Sequence, residues 1–407
     1  MIIKDVRLSR NHDSTTLSAR CKVRKLGWDT IYFTVCGVER FDYVFNDASP
    51  FAAALLLPAM RQGEDLIIKG SVSNQLYKGM QAVMQEVLGW DIGLKPIEIK
   101  VDTLAEDTYR PSKTATFFSG GVDSFYTYLK HRDDADKADR VDSFILVNNN
   151  FDIDPRNKKL WEMTLKNIKA IAADGHIELV VVESNVNTRE LLAPIVAWDF
   201  IHGACLAATG LFLRPAFRKI YVPSTHSVDE QIPWGSNLAL DKLWSTEETV
   251  FAHDGSETTR LNKVISQIAL SPIALKHLRV CYKNTQGTYN CGACDKCMRT
   301  MVNLYIAGAL ERSSTFPHTL NLGLIATTPT IKGKDGGIFH NENLSALKKR
   351  HLNPELQQAI KSSLNRTAEI KVSWSEKASR AIIYLDHNYT RGLIYANLSR
   401  LFGKKFV

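Results

Sequence analysis

One short segment constrains the fold of this chain more than any other: an apolar, β-prone run at residues 114–118 that leads directly into a glycine-rich turn. A helical pattern follows from Phe125 to about Arg132. Two adjacent glycines let the backbone approach a ligand closely, and the first N–H groups of a helix have no partner within it. The segment therefore predicts an anion cradle at a helix N-terminus, suited to phosphate or pyrophosphate. Its residues are Ser119, Gly120, Gly121, Val122, Asp123 and Ser124.

From Lys113 onward, β-prone runs alternate with helical patterns. Strands are predicted at 114–118, 144–148, 177–182 and 219–222, and helices at 125–132, 157–173 and 188–213. This succession predicts a Rossmann-like α/β fold, a parallel sheet with helices on both faces. Ligands of such sheets bind at the carboxyl ends of the strands, where the glycine-rich turn lies and where Asn148 and Asn149 follow the second strand.

The length of 407 residues predicts two or three units. We expect an N-terminal α+β domain at 1–108, a nucleotide-binding domain with a metal site at 109–312, and a mostly helical extension at 313–407. The first unit has predicted strands at 17–23, 30–35, 41–45, 66–70 and 97–101 and helices at 50–60 and 75–88. The extension has a loop at 327–337 and helical patterns at 344–349, 354–364, 375–385 and 389–401.

A net charge of +8 and a pI near 9.0 suit an anionic ligand such as a nucleotide, tRNA or an acidic protein. The basic clusters at 348–350 and 404–405 are short, and a solvated face explains each of them. The N-terminus lacks the apolar core of a signal peptide, and the most apolar window, 51–57, is too short to cross a bilayer. We expect a cytoplasmic protein without membrane contact; the oligomeric state is open, and a homodimer is one candidate.

Four of the seven cysteines crowd into residues 281–297, and an odd total argues against a disulfide framework. Thiolates at this spacing close tetrahedrally on one Zn²⁺, with Gly292 permitting a tight knuckle, and such a closed site is structural. The predicted ligands are Cys281, Cys291, Cys294 and Cys297. An iron–sulfur cluster is an alternative, although the fourth cysteine and proline of a bacterial ferredoxin run are missing; free thiols are another.

The string Ser-Gly-Gly-x-Asp-Ser resembles the signature of the PP-loop ATP pyrophosphatases and is not a Walker A loop. With Cys281-Tyr282 and the later Cys-Gly-x-Cys-x-x-Cys, it resembles QueC, the 7-cyano-7-deazaguanine synthase family, over about residues 113–308. The resemblance implies that ATP is split between its α- and β-phosphates to adenylate the carboxylate of 7-carboxy-7-deazaguanine. Ammonia then gives the amide, and a second ATP dehydrates it to the nitrile.

The resemblance also implies roles for individual residues. The loop residues from Ser119 to Ser124 would bind pyrophosphate and its Mg²⁺, with Asp123 and Ser124 in catalytic positions. Lys263 would reach a phosphate, and Arg260, one turn away on the same helix face, would share that task. A solvated helix face is the alternative interpretation of both. Asn148 and Asn149, at the end of the second predicted strand, complete the predicted nucleotide-binding residues. We expect Asp123→Ala to abolish ATP–pyrophosphate exchange while the fold stays intact.

The chain also departs from the QueC pattern. It carries about 110 residues before the loop and about 95 after the cysteine segment, and residues 149–152 do not match the family's Tyr-Gly-Gln-like element. Some QueC-like proteins of antiphage defence operons join the activated deazaguanine to a protein amine instead of ammonia. The extra segments here would fit the docking of such a protein acceptor, so the acceptor stays open.

Further candidates each have a structural alternative. His226 and Asp229 would orient substrate or form a polar loop pair, and Trp234, before Ser236 and Asn237, would stack a purine-like base or lie in the core. His253 would belong to a turn before the helix of Arg260, and His202 would be a core histidine.

Two other functions remain in view. A tRNA-thiolating enzyme would need a relay cysteine or an iron–sulfur cluster near the loop, and a non-catalytic nucleotide sensor or scaffold would form no AMP.

Overall fold

The fold is described here from a computed structural model. It covers residues 1–23, 27–36, 47–148, 153, 157–186, 191–192, 195–230, 232–283, 288–330 and 335–366. The strand predicted at 41–45, the helices predicted at 375–385 and 389–401, and the candidate Asn149 lie outside these described residues.

Strands and helices alternate through much of the described chain. The strands are β1 Ile2–Asn11, β2 Ser14–Lys22, β3 Asp29–Cys36, β4 Leu66–Ser73, β5 Ile99–Ala105, β6 Lys113–Phe117, β7 Ser143–Asn148, β8 Glu178–Ser184, β9 Phe217–Pro223 and β10 Val250–Asp254. The helices are α1 Ser49–Gln62, α2 Asn74–Leu88, α3 Val122–His131, α4 Lys158–Asp174, α5 Trp198–Leu213, α6 Arg260–Ser266, α7 Pro272–His277, α8 Asp295–Ile306, α9 Leu322–Thr327, α10 Asp335–Lys349 and α11 Pro354–Asn365.

The strands form one sheet in the order β10-β9-β6-β7-β8-β3-β2-β1-β4-β5. Neighbouring strands are parallel from β10 to β8 and again from β1 to β5. They are antiparallel from β8 through β3 and β2 to β1. The predicted α/β class is confirmed, and the mostly parallel sheet is compatible with a Rossmann-like fold.

The N-terminal strands continue the sheet formed by the strands of residues 113–254. Strand β3 pairs with β8, with Val35 opposite Val182, and the ring of Phe33 stacks on Phe212 of α5 at 5.8 Å. The ranges 1–108 and 109–312 therefore share a sheet and a hydrophobic core. Pairing between strands so far apart in sequence depends on tertiary packing, so the local sequence of β3 or β8 does not predict it.

Two elements differ from their predicted form. Helix α5 begins at Trp198 instead of residue 188, and the sequence has a proline at 194, which is unfavourable inside a helix. His253 and Asp254 end strand β10 and do not form the predicted turn. This strand is five residues long and lies at the sheet edge, too short for a clear alternating pattern.

The C-terminal helices pack against helices α6 and α8 through a small core of their own. Leu347 of α10 and Ile360 of α11 lie in one buried cluster with Leu261 of α6 and Val302 of α8. These contacts hold α6, which carries Arg260 and Lys263, from its outer side. In the part of the chain that the structure describes, no helix is both long and apolar enough to cross a bilayer.

Candidate active site and metal centre

The glycine-rich turn connects the end of β6 to the start of α3, as predicted. Gly120 has φ +76°, in the left-handed region that favours glycine, and the position of a Cβ there faces open space. The first helical bond of α3 runs from the Phe125 N–H to the Gly121 oxygen (3.0 Å). The amides of residues 122–124 therefore precede the helical ladder, and the positive end of the helix dipole faces the turn.

Asp123, in the first turn of α3, is held by two cations from α6. The Arg260 guanidinium donates to both carboxylate oxygens, at 2.7 and 3.0 Å, and the Lys263 ammonium lies 3.8 Å away. The Thr225 hydroxyl also donates to Asp123, at 3.3 Å. Burial opposes the charged form, but Arg260 and Lys263 together lower the pKa of Asp123 below its ordinary value. The carboxylate is therefore ionised at neutral pH.

Arg260 and Lys263 are not on a solvated helix face. Their side chains are 6% and 0% exposed, and Lys263 Nζ donates to the Ser224 oxygen at 2.6 Å. Burial lowers the pKa of Lys263, and the charge of Asp123 opposes that shift. The solvated alternative is wrong for both residues. Their contact with a phosphate stays a prediction.

A cavity of about 220 Å³ opens beside the turn. Ser119, Gly121, Asp123 and Ser124 line one end, and Arg260 lies there too. Asn148, at the end of β7, also lines the cavity, and its amide donates to Glu183 Oε1 at 3.3 Å. A cavity therefore lies at the carboxyl ends of β6 and β7, where the sequence predicts the site.

Aromatic and histidine rings form another wall of the cavity. Trp198, His202 and Trp234 all line it, with 5.4 Å between the ring centroids of Trp198 and His202 and 5.1 Å between those of His202 and Trp234. Burial lowers the pKa of His202, so the ring is neutral at neutral pH. His202 and Trp234 therefore face a cavity. This wall suits a planar aromatic ligand.

The other predicted polar residues hold the surrounding loops together. His226 Nδ1 lies 3.1 Å from Glu230, and Asp229 is exposed, so the polar pair of this loop is His226 with Glu230. Ser236 Oγ and His253 Nδ1 both contact Asp241 Oδ2, at 2.7 Å each. The side chain of Asn237 caps its own turn by accepting from the N–H groups of Ala239 and Leu240.

The four clustered cysteines converge as predicted. Their sulfur atoms all lie within 4.8 Å of one another, and the Cys291 and Cys297 sulfurs are 3.8 Å apart. A tetrahedral Zn²⁺ with bonds of about 2.3 Å would separate its sulfur ligands by about 3.8 Å, so this arrangement is compatible with zinc. Gly292 has φ +66°, and a Cβ there would lie 2.8 Å from Pro317, so the knuckle requires glycine.

Backbone contacts join the cysteine cluster to the glycine-rich turn. The Arg279 N–H donates to the Gly120 oxygen at 2.8 Å. Asn290 accepts from the N–H groups of Val280 and Cys281, at 2.9 and 3.2 Å. Arg279, Val280 and Cys281 all line the cavity, so the segment that enters the cysteine cluster is also a cavity wall.

The cavity residues that sequence reasoning missed include Trp198, Arg279 and Lys296. Lys296 lies between two predicted metal ligands, and Arg279 lies two residues before the first of them. Their closeness to the cysteines was a usable signal, because a knuckle packed beside the turn brings its neighbours to the same cavity. Trp198 is the first residue of α5, which the sequence predicts to begin at residue 188. No local sequence signal marks Trp198 as a cavity residue.

Comparison with protein-family models, with curated proteins and with solved structures found no match to this chain. The basis for a functional proposal is therefore the chain's motifs and the geometry above. That geometry combines a glycine-rich turn at a helix N-terminus, two buried cations on a carboxylate, an aromatic wall and a cluster of four thiols.

Proposed function

We propose that this protein is a QueC-like, AMP-forming carbon–nitrogen ligase that adenylates the carboxylate of 7-carboxy-7-deazaguanine or a similar deazapurine acid. The observation that carries the proposal is the cavity itself. The glycine-rich turn and Arg260 line one region, with Lys263 buried behind Asp123, and the rings of Trp198 and Trp234 form a wall suited to a planar base. ATP phosphates would occupy the first region and the acid the second.

In the proposed reaction, a substrate carboxylate oxygen attacks the α-phosphorus of ATP while the bond from that phosphorus to the bridging oxygen of the pyrophosphate breaks. Pyrophosphate leaves with the electron pair, and the helix N-terminus with Arg260 and Lys263 stabilises its charge. An amine nitrogen then attacks the acyl carbon, AMP leaves, and the nitrogen loses a proton. An ionised carboxylate needs no general base, so the protein contributes mainly position and charge.

Mg²⁺ would accompany ATP, since it binds proteins through one or two carboxylates together with substrate phosphates. Asp123 is the carboxylate that lines the cavity at the turn, and the hydroxyl of Ser119 is an oxygen donor nearby. Both Asp123 oxygens accept from Arg260, so Mg²⁺ would share this carboxylate with the guanidinium, and it would neutralise phosphate charge when bound.

Zn²⁺ would have a structural role at the four cysteines. All four protein ligands fill a tetrahedral shell, so no position is left for substrate. Cys281 lines the cavity, but its sulfur belongs to the cluster, and no separate cysteine of the described residues lines it. This arrangement favours the ligase over a thiolating enzyme, which would need a relay cysteine or iron. Metal analysis separates the two, because the ligase predicts zinc without iron.

ATP–pyrophosphate exchange tests the proposal. The purified full chain should exchange labelled pyrophosphate into ATP only when 7-carboxy-7-deazaguanine is present. Asp123→Asn should reduce the exchange by about a hundredfold or more, because it removes the carboxylate that positions Arg260 and that would hold Mg²⁺. Asparagine is a better test than alanine, since it keeps a polar group beside the buried Arg260 and Lys263 and so limits unfolding.

The matched control is Asp133→Asn, whose carboxylate is 74% exposed beyond the other end of α3 and should leave exchange unchanged. Exchange that persists in Asp123→Asn would contradict the assignment of the turn. Mass spectrometry of products formed with ammonia, or with a candidate protein amine, would identify the acceptor. Release of AMP would exclude a non-catalytic scaffold.

A further inference from the structure

Lys296 is a cavity residue that the proposed reaction does not yet use. It is the second residue of α8 and lines the cavity together with Ser119, Trp198 and Trp234. Among the described residues, no carboxylate lies within ion-pair distance of its ammonium, and the Tyr282 ring is 6.0 Å away. The neighbouring Asp295 is engaged instead by Arg299 (3.5 Å) and His340 (3.1 Å).

The position of Lys296 is electrostatically unfavourable for α8 itself. A cation in the first turn opposes the positive end of the helix dipole, where acidic residues are preferred. Lys296 therefore gains little from its own helix, and its neighbours form a cavity wall.

The charge of Lys296 affects groups in both regions of the cavity. Its charge contributes to lowering the pKa of Asp123 beside the turn and the pKa of His202 in the aromatic wall. The positive charge of Lys296 therefore acts on groups in both regions of the cavity that it lines. The other cations near the turn already have partners: Arg260 contacts the Asp123 carboxylate, Lys263 donates to the Ser224 oxygen, and Arg279 donates to the Cys281 oxygen.

We infer that Lys296 binds the carboxylate of the acid substrate, between the phosphate end and the aromatic wall of the cavity. This inference rests on the proposed function and specifies its substrate as a planar aromatic acid bound in its ionised form. The planar ring contacts Trp198 and Trp234, and the carboxylate is held facing the α-phosphorus.

The cysteine cluster fixes this lysine in place. Lys296 lies between Cys294 and Cys297, whose sulfurs belong to the four-thiol cluster, so its backbone is anchored on both sides. A closed metal knuckle is rigid, which reduces the conformational entropy lost when the side chain binds an anion. The metal cluster would therefore position a substrate-binding charge without contacting substrate.

Calorimetric titration of Lys296→Met tests the inference with two probes that differ in charge. The acid 7-carboxy-7-deazaguanine should bind the variant about tenfold to a hundredfold more weakly than wild type, because a charge-assisted hydrogen bond is lost. The neutral amide of the same base should bind both proteins equally. Lys296→Arg should recover most of the acid affinity, and Lys276→Met, at an exposed lysine of α7, should bind both probes as wild type does.

The titrations are run without nucleotide, and a non-hydrolysable ATP analogue is titrated separately. Equal loss of acid and amide binding in Lys296→Met would overturn the inference, because it would indicate a structural role. Failure of the acid to bind wild type would overturn it as well. Failure of the ATP analogue to bind would instead contradict the proposed function, so the two failures are distinguishable.

Discussion

Helices α3 and α8 have similar N-termini, but the surroundings of the two N-termini differ. Neither has a side-chain hydrogen bond at its N-cap, which is Gly121 in α3 and Cys294 in α8, and both carry an aspartate in the first turn. Asp123 of α3 meets cations from α6, far away in sequence, beside an open cavity. Asp295 of α8 meets Arg299 of its own helix and His340 of α10.

The comparison shows that a local pattern locates a helix N-terminus but does not decide its use. At α3 the partners of the aspartate place positive charge beside a cavity. At α8 the partners of the aspartate hold a helix whose first residues belong to the cysteine cluster. The partners of Asp123 therefore place charge where a ligand can bind, whereas the partners of Asp295 stabilise the packing of α8.

The largest expected effect is at the start of α8. Cys294→Ser should lose bound zinc and make residues 288–306 sensitive to protease, because three thiolates and a hydroxyl hold the ion weakly and the knuckle folds with its metal. Elemental analysis and limited proteolysis measure the two effects. Cys36→Ser, at an exposed cysteine, should keep full zinc content. Full zinc content in Cys294→Ser, or iron in the wild type, would contradict the assignment.

A smaller effect is expected at the turn before α3. Gly120→Ala should lower the free energy of unfolding by about 1–2 kcal/mol, because alanine is strained at positive φ while no atom within 4 Å opposes its Cβ. Gly308→Ala is a matched control, with φ +64° and equally open space at the end of α8. Chemical denaturation should show similar losses for both variants.

Binding of an ATP analogue should distinguish these two glycines. Gly120→Ala should weaken that binding, since the turn must approach a phosphate, and Gly308→Ala should leave it unchanged. Equal ATP affinity in the two variants would remove the turn from the nucleotide site.

The smallest expected effect is the pH dependence that Asp123 contributes. Arg260 and Lys263 lower the pKa of Asp123 against the effect of burial, so its folded pKa lies below its unfolded one. The stability it adds is then fully present above the unfolded pKa of about 4 and is lost as the pH falls through the folded pKa. Denaturation curves should show the gap between wild type and Asp123→Asn shrinking below about pH 4. A gap that does not change with pH would mean that the carboxylate is not held in its charged form.

The parts of the fold and site that sequence predicted are those with local causes. The turn at Gly120 and the convergence of the cysteines follow from short motifs, and the alternation of strands and helices follows from periodicity. The pairing of β3 with β8, the neighbours of Asp123 and the ring wall around His202 depend on packing between distant segments. Lys296 is intermediate, because the cysteine motif locates its backbone but not the cavity beside it.

The pairing of β3 with β8 has a consequence for folding during synthesis. About 140 residues separate the two strands, so during synthesis the edge of β3 stays unpaired until β8 leaves the ribosome. An unpaired strand edge invites pairing with other chains, and pairing over such long separations is slow. The N-terminal strands therefore cannot complete their sheet on their own, and the interval before β8 appears is the period when a nascent chain is most exposed to aggregation.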